Sequence, residues 1–292
     1  RAVFISVLLG GLPAATWAFS GPFASLVTVE PGVQIDVDVR VPATGTPPAT
    51  GWPVIFFAHG SGGDKTSFSQ LAGEYADDGY VTLSYTNRPE EDRSPQIFAS
   101  DIVALKDWLL NDFEAELGVT APTDSNKFGM AGNSLGGYTT WSGILLSNAF
   151  AAAVPYNFAY HHYVDYLESQ GSIARAKGQL VIPLVGGEYP AAAVDAAVEA
   201  VFNPIIANFP NVTIPVQNHV AMLDSLWLGT HALTDYLQLT SASGRMIYIG
   251  TGGHGTARND EEYRGELRSD WFDHYLKGVA NGIDTTDAIQ IS

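Results

Sequence analysis

Gly132-Asn133-Ser134-Leu135-Gly136-Gly137 sets a serine among glycines. The stretch follows a short apolar run, Lys127 to Ala131, and opens a second apolar segment that reads as a helix. A serine at such a strand-to-helix turn has its hydroxyl lifted clear of the sheet and exposed to substrate. A serine hydroxyl is a weak nucleophile at neutral pH, so it also needs a base within hydrogen-bond reach and a third group to orient that base. Among the seven histidines, His254 is singled out by its setting, the glycine-rich loop Thr251-Gly252-Gly253-His254-Gly255 after the strand-like run Met246 to Gly250. His161 and His162 are adjacent and cannot share a helix face, His219 falls inside a strand pattern, and His231 and His274 fall on helical ones. For the third group, Pro215 to Val220 reads as a strand running into Ala221-Met222-Leu223-Asp224. A rival acid, Glu188 after Val181 to Val185, lacks the helix and strand that should separate acid from histidine. Ser134 as a plain helix N-cap is the bland alternative; it leaves unexplained the double glycine and the His-Gly loop upstream.

That upstream loop, His59-Gly60-Ser61-Gly62-Gly63, follows the apolar run Val54 to Ala58. It lacks the Gly-Lys-Ser/Thr ending of a phosphate cradle, which argues against nucleotide binding. His59 reads as a residue that shapes the loop rather than as a proton shuttle. Tyr156 and Asn157, just past the strand-like Ala151 to Pro155, are expected at the pocket rim as substrate contacts, with scaffold packing as the alternative. No H-E-x-x-H or comparable spacing occurs, so neither a catalytic metal nor a cofactor is expected.

The elements that must position these residues are legible as a rhythm. Val33, Ile35, Val37, Val39 and Val41 alternate with polar residues, the pattern of a strand with one wet face near a sheet edge. Val54 to Ala58, Tyr80 to Tyr85, Phe128 to Ala131 and Ala151 to Pro155 are short, mostly apolar runs, as parallel strands covered on both faces require. Helical patterns lie between them, the clearest over Ile97 to Phe113, where only Asp101 breaks the apolar face. Such alternation predicts an α/β fold, a mostly parallel, doubly wound sheet of about eight strands. Residues 160–210 interrupt the rhythm and are expected to form a helical cap inserted above the carboxyl ends of the strands, dividing the core into 19–159 and 211–292. Tyr160, Tyr163, Tyr166, Tyr189 and Phe202 in that cap would suit an apolar or aromatic acyl group, or simply pack it down. The rhythm resumes with a strand over 212–220, a helix over 228–239, a strand over 245–250 and a last helix over 262–277.

Composition bounds the partners. Fourteen basic against 31 acidic residues give a formal charge of −17, which repels nucleic acid and anionic membrane surfaces. With no cysteine, disulfides and thiolate chemistry are excluded. The apolar run Val3 to Gly11, Pro13, and the small residues of Thr16-Trp17-Ala18 read as a secretory signal over 1–18, so an exported protein is expected. No run approaches the eighteen or so apolar residues that a membrane span needs.

With these residues in view, the chain resembles the α/β-hydrolases, and within them the dienelactone hydrolase-like esterases and the X-Pro dipeptidyl peptidase and cocaine esterase group. The resemblance covers roughly 33–160 and 211–278, carried by the His59 loop, the Ser134 turn, Asp224 and His254 in that chain order, and Trp271-Phe272-Asp273 through Leu276-Lys277-Gly278. It implies a Ser134–Asp224–His254 triad and an oxyanion hole formed by the backbone N–H groups of Leu135 and Ser61, with Gly62 as the other loop candidate. Two positions depart from the pattern: Ala221 stands where glycine is common, and Leu135 where the peptidase branch usually carries tyrosine. The implied activity is hydrolysis of small-molecule or polymeric carboxylic esters through an acyl-enzyme. The alternative is an X-Pro peptidase or amidase, which needs carboxylates for a peptide amino terminus; Glu168 and Glu188 are the candidates, with solvated surface as the favoured reading of either in so acidic a chain. A non-catalytic binding protein on the same scaffold is the remaining reading.

Overall fold

The structure, a computed structural model, describes residues 19–89, 94–161, 191–226, 229–254 and 260–291. Its centre is a nine-stranded sheet in the order β1-β2-β4-β3-β5-β6-β7-β8-β9. The strands are β1 (Phe19–Glu30), β2 (Val33–Pro42), β3 (Trp52–Ala58), β4 (Val81–Tyr85), β5 (Thr123–Asn133), β6 (Ala152–Tyr156), β7 (Val216–Ala221), β8 (Arg245–Gly250) and β9 (Ile289–Ile291). From β4 across to β9 every pairing is parallel, while β1–β2 and β2–β4 are antiparallel. The sheet is thus mixed and mostly parallel, as the rhythm of the sequence predicts. It has two strands that the sequence reading does not foresee, β1 and β9, and β1 leaves β2 one place in from the edge.

The short apolar runs divide their side chains between two cores. Val54, Phe56 and Ala58 of β3 face one, Ile55 and Phe57 the other, and the two-residue period holds across the neighbouring strands. On one face lie α1 (Ser69–Asp77) and α7 (Glu261–Phe272), packed through Tyr75, Leu267, Trp271 and Phe272. On the other lie α2 (Pro95–Asn111), α4 (Leu135–Leu146), α5 (Ala191–Ile206) and α6 (Gly229–Gln238). A short α3 (Phe113–Leu117) trails α2 and ends at Gly118 in the left-handed region. Helix α2 starts two residues before its predicted place, because Pro95 suits the first turn and Ser94 Oγ accepts the Ile97 N–H at 3.1 Å. The aspartate that breaks its apolar face is buried: Asp101 accepts from Arg88 Nε at 2.8 Å and Nη2 at 2.6 Å.

Of the expected cap, 162–190 lie outside the described residues, and with them Tyr163, Tyr166, Tyr189, Glu168 and Glu188. The described part packs against the α4 layer: Phe202, Ile205 and Phe209 join the core, and the Phe209 and Trp141 rings are 5.0 Å apart. Its other end is pinned by Asp235 of α6, fully buried, which accepts the N–H groups of Tyr160 at 2.6 Å and His161 at 3.0 Å. No described helix is long and apolar enough to cross a membrane.

The strand order reverses at β3. The chain steps from β3 outward to β4, then returns to place β5 on the opposite side of β3. Loops leaving β3 and β5 therefore diverge at their carboxyl ends, and the crevice between them is where ligands enter an open sheet of this kind.

Candidate active site

Ser134 stands in that crevice, between the end of β5 and the start of α4. Its backbone has φ 57° and ψ −113°, a conformation L-residues rarely take. Two hydrogen bonds hold it there: Ser134 N–H donates to the Tyr156 carbonyl of β6 at 3.0 Å, and Tyr138 N–H donates to the Ser134 carbonyl at 3.0 Å. The glycines explain how strand, turn and helix come so close. A Cβ at Gly136 would overlap the carbonyl of Ala58 at the end of β3, and one at Gly132 would overlap the backbone of Gly136. At Gly137 it would meet the Tyr156 carbonyl at 2.5 Å. Each glycine thus lets one more backbone reach the nucleophile.

The other two members arrive from the adjacent strands β7 and β8. Ser134 Oγ lies 2.8 Å from His254 Nε2, and His254 Nδ1 lies 2.8 Å from Asp224 Oδ2. The Asp224 carboxylate is fully buried, and its second oxygen accepts the Leu226 N–H at 2.8 Å. Ala221 pairs with Gly250, and beyond the strands the two loops stay bound: Met222 N–H donates to the Gly250 carbonyl at 2.8 Å and Leu223 N–H to the Gly252 carbonyl at 3.0 Å. Acid and base are therefore delivered as one unit. A carboxylate can only accept, so Asp224 holds the hydrogen on Nδ1 and leaves the Nε2 lone pair for the serine proton. The Ser134–His254–Asp224 linkage expected from chain order is complete in space.

Around this triad the predicted residues take different places. The His59 loop closes on itself: His59 Nδ1–H donates to the Gly60 carbonyl at 2.6 Å, and Gly63 N–H donates to the same oxygen at 3.1 Å. The Asn87 backbone N–H points at His59 Nε2 from 2.9 Å, which makes that nitrogen the acceptor and the ring a neutral structural element. The loop runs beside the nucleophile, since a Cβ built on Gly60 would sit 3.5 Å from Ser134 Cβ. Ser61 and Gly62 are exposed and Leu135 half-buried. Asn157, with φ 48°, gives its N–H to the His219 carbonyl at 2.7 Å and its Nδ2 to Asn133 Oδ1 at 2.7 Å, bracing the residue before the serine. Tyr156 reaches the serine through its carbonyl. Its ring shares the face of Ala152 and Val154 beneath α7, where Arg268 Nη1 donates to the phenol oxygen at 3.3 Å. Burial pushes the Tyr156 phenol up to about 12 against the opposing pull of the Arg268 charge.

Lys65 anchors the far side of the loop. Its ammonium lies 2.7 Å from Asp36 Oδ1 and 2.9 Å from Asp38 Oδ1 on β2. Burial works to lower its pKa, but the hydrogen bonds to those two carboxylates outweigh it and hold the lysine above its usual range. A second histidine–carboxylate pair, His161 with Asp235 at 2.6 Å, is structural, because the same carboxylate caps the chain at 160–161. Among the described residues no group of three or more His, Asp and Glu side chains is disposed to hold a metal ion. Sequence reasoning passed over Asn87, Thr139, Lys65 and Arg268. The only signal for Asn87 was its place just past the carboxyl end of β4, next to the crevice.

No protein-family model matches the sequence, and no curated protein does. Solved structures do. A PEG-bound cold-adapted esterase from an Arctic intertidal metagenomic library superposes with TM-score 0.55 at 16% identity, over 87% of this chain and 92% of that one. The fold is that of the α/β-hydrolases. Two longer proteins share the hydrolase fold. Pyrococcus horikoshii acylaminoacyl peptidase matches with TM-score 0.63 at 18% identity, over 90% of this chain and 43% of that one. A putative dipeptidyl aminopeptidase IV from Bacteroides ovatus matches with TM-score 0.65 at 15% identity, over 88% and 36%. Within the hydrolase fold, a serine at the β5 turn with acid and histidine after late strands is the arrangement that supports acyl transfer.

Proposed function

We propose that this chain is a serine hydrolase that cleaves carboxylic esters through an acyl-enzyme intermediate. The observation that carries the reading is the unbroken line of hydrogen bonds from Ser134 through His254 to Asp224. Ser134 Oγ attacks the ester carbonyl as its proton passes to His254 Nε2, and Asp224 stabilises the imidazolium without itself taking the proton. The oxyanion is received by the backbone N–H groups of Leu135 and Ser61, with Gly62 as the other loop donor. Loss of one such donor costs about 3 kcal/mol of transition-state stabilisation. His254 then protonates the departing alcohol, and on the return half-reaction it deprotonates the water that releases the acid.

The ester reading is favoured over the peptidase one by what flanks the acid. Met222, Leu223 and Leu226 stand exposed beside Asp224, with Leu223 at 72%, and present hydrocarbon on the loop that carries the acid. The cold-adapted esterase of similar fold is consistent with this choice. Substrates are thus small or polymeric esters with an apolar acyl or alcohol part.

The test is a panel of p-nitrophenyl esters graded in acyl length, polyester oligomers and X-Pro anilides, run on wild type and Ser134→Ala. Ester turnover that vanishes in the variant is the expected result. Faster turnover of the anilides would replace the esterase reading by the peptidase one, and full activity in Ser134→Ala would overturn both.

A further inference from the structure

We propose that Asn87 is a positioning residue for the oxyanion hole, clasping together the two backbone segments whose N–H groups must converge on one oxygen. The inference rests on the hydrolase reading. It assigns a role to a side chain that touches neither the triad nor substrate.

The two donor segments come from different parts of the fold. Ser61 and Gly62 belong to the loop after β3, Leu135 to the first turn of α4. An oxyanion hole works only if its donors are fixed beforehand at hydrogen-bond distance from one point, and a displacement of about 1 Å at a reacting centre costs about a hundredfold in rate. Something must therefore set the distance between loop and helix. Asn87, 7% exposed, lies between them. Its Nδ2 donates to the His59 carbonyl at 3.3 Å, two residues before Ser61. Thr139 Oγ1 donates to the Leu135 carbonyl at 2.9 Å and shares that one hydrogen with Asn87 Oδ1 at 3.4 Å. One amide thus spans from the loop's entry to the helix's first turn.

An asparagine is suited to this place because both contacts are made by one rigid planar group with a donor at one corner and an acceptor at the other. Aspartate would set a carboxylate oxygen against the His59 carbonyl, and alanine would remove both links. In either variant the backbone N–H of residue 87 still donates to His59 Nε2, so the loop is loosened without being released.

The experiment compares Asn87→Ala, Asn87→Asp, Thr139→Val and the Asn87→Ala/Thr139→Val pair with wild type, on a short-chain p-nitrophenyl ester and its thiono analogue. Thiono sulfur is a larger, weaker acceptor and draws less from the hole. Expected for Asn87→Ala are a kcat lowered by about tenfold to a hundredfold on the ester, KM within about twofold, and a reduced ester-to-thionoester rate ratio. Thr139→Val should fall the same way by less, and the double variant should cost less than the product of the single effects, because both cut one linkage. If Asn87→Ala does not fold, Thr139→Val, of nearly equal volume, carries the test. A folded Asn87→Ala or Thr139→Val protein with lowered melting temperature but unchanged kcat and ester-to-thionoester ratio would overturn the inference alone. A wild type that hydrolyses no ester and whose Ser134 resists a fluorophosphonate probe would overturn the hydrolase reading and this inference with it.

Discussion

The chemistry at Ser134 depends on which nitrogen of His254 carries its hydrogen, and that is decided by one buried oxygen. Asp224→Asn is accordingly expected to keep the fold while lowering kcat about ten-thousandfold, since an amide can offer Nδ1 a hydrogen where it needs an acceptor and so favours the wrong tautomer. A variant that retained more than a tenth of wild-type turnover would remove Asp224 from the triad. These three residues were legible in the sequence because each carries two independent marks, a chemical type and a place at the end of a strand. Asn87 carried only the second, and Lys65 neither. Their value lies in partners more than twenty positions away, Lys65 on β2 and Asn87 on the β3 loop, and no local pattern announces such distances. Tyr156 was harder still. Whether its ring faces the crevice or α7 is fixed by strand parity, and a strand apolar on both faces gives no sign of which face is which.

At the scale of elements, the acid loop does two jobs. Its backbone is tied to the histidine loop, while Met222, Leu223 and Leu226 project outward, 40%, 72% and 40% exposed. Leu223→Asp should therefore leave short acyl esters within about twofold of wild type and lower kcat/KM for long-chain esters by about tenfold, the worth of one lost apolar contact of 1–2 kcal/mol. Equal losses on short and long chains would show that the loop only scaffolds Asp224. The same split between pattern and placement explains which elements the sequence reveals. Buried parallel strands announce themselves as short apolar runs. β1 does not: it is mostly exposed, with Val27 as its buried member, and its residues 19–30 follow an apolar stretch that draws the eye to export instead. β9, only three residues long, is too short to carry a period.

Over the whole molecule, aromatic residues fill the layer between sheet and helices, and several are phenols. Burial raises the pKa of Tyr75, Tyr80, Tyr85 and Tyr156, with Asp273 adding to the effect at Tyr80 and Asp101 at Tyr85, and the Arg268 charge opposing it at Tyr75 and Tyr156. A group whose folded pKa lies above its unfolded value stabilises fully below the unfolded value, here near 10, and that contribution is lost as pH rises through the folded value, about 12 for Tyr156. Alkaline titration followed at 295 nm should thus show these phenols ionising late and together with loss of near-ultraviolet circular dichroism. Smooth ionisation of every tyrosine near pH 10 in a still-folded chain would contradict their burial. The turn at Ser134 has a consequence on this same scale. Its φ of 57° is a shape glycine adopts at ease and serine endures. Breeding the chain for endurance in hot solution, with no check on turnover, would reward the exchange of that one position for glycine and return a sturdier molecule with its working hydroxyl gone.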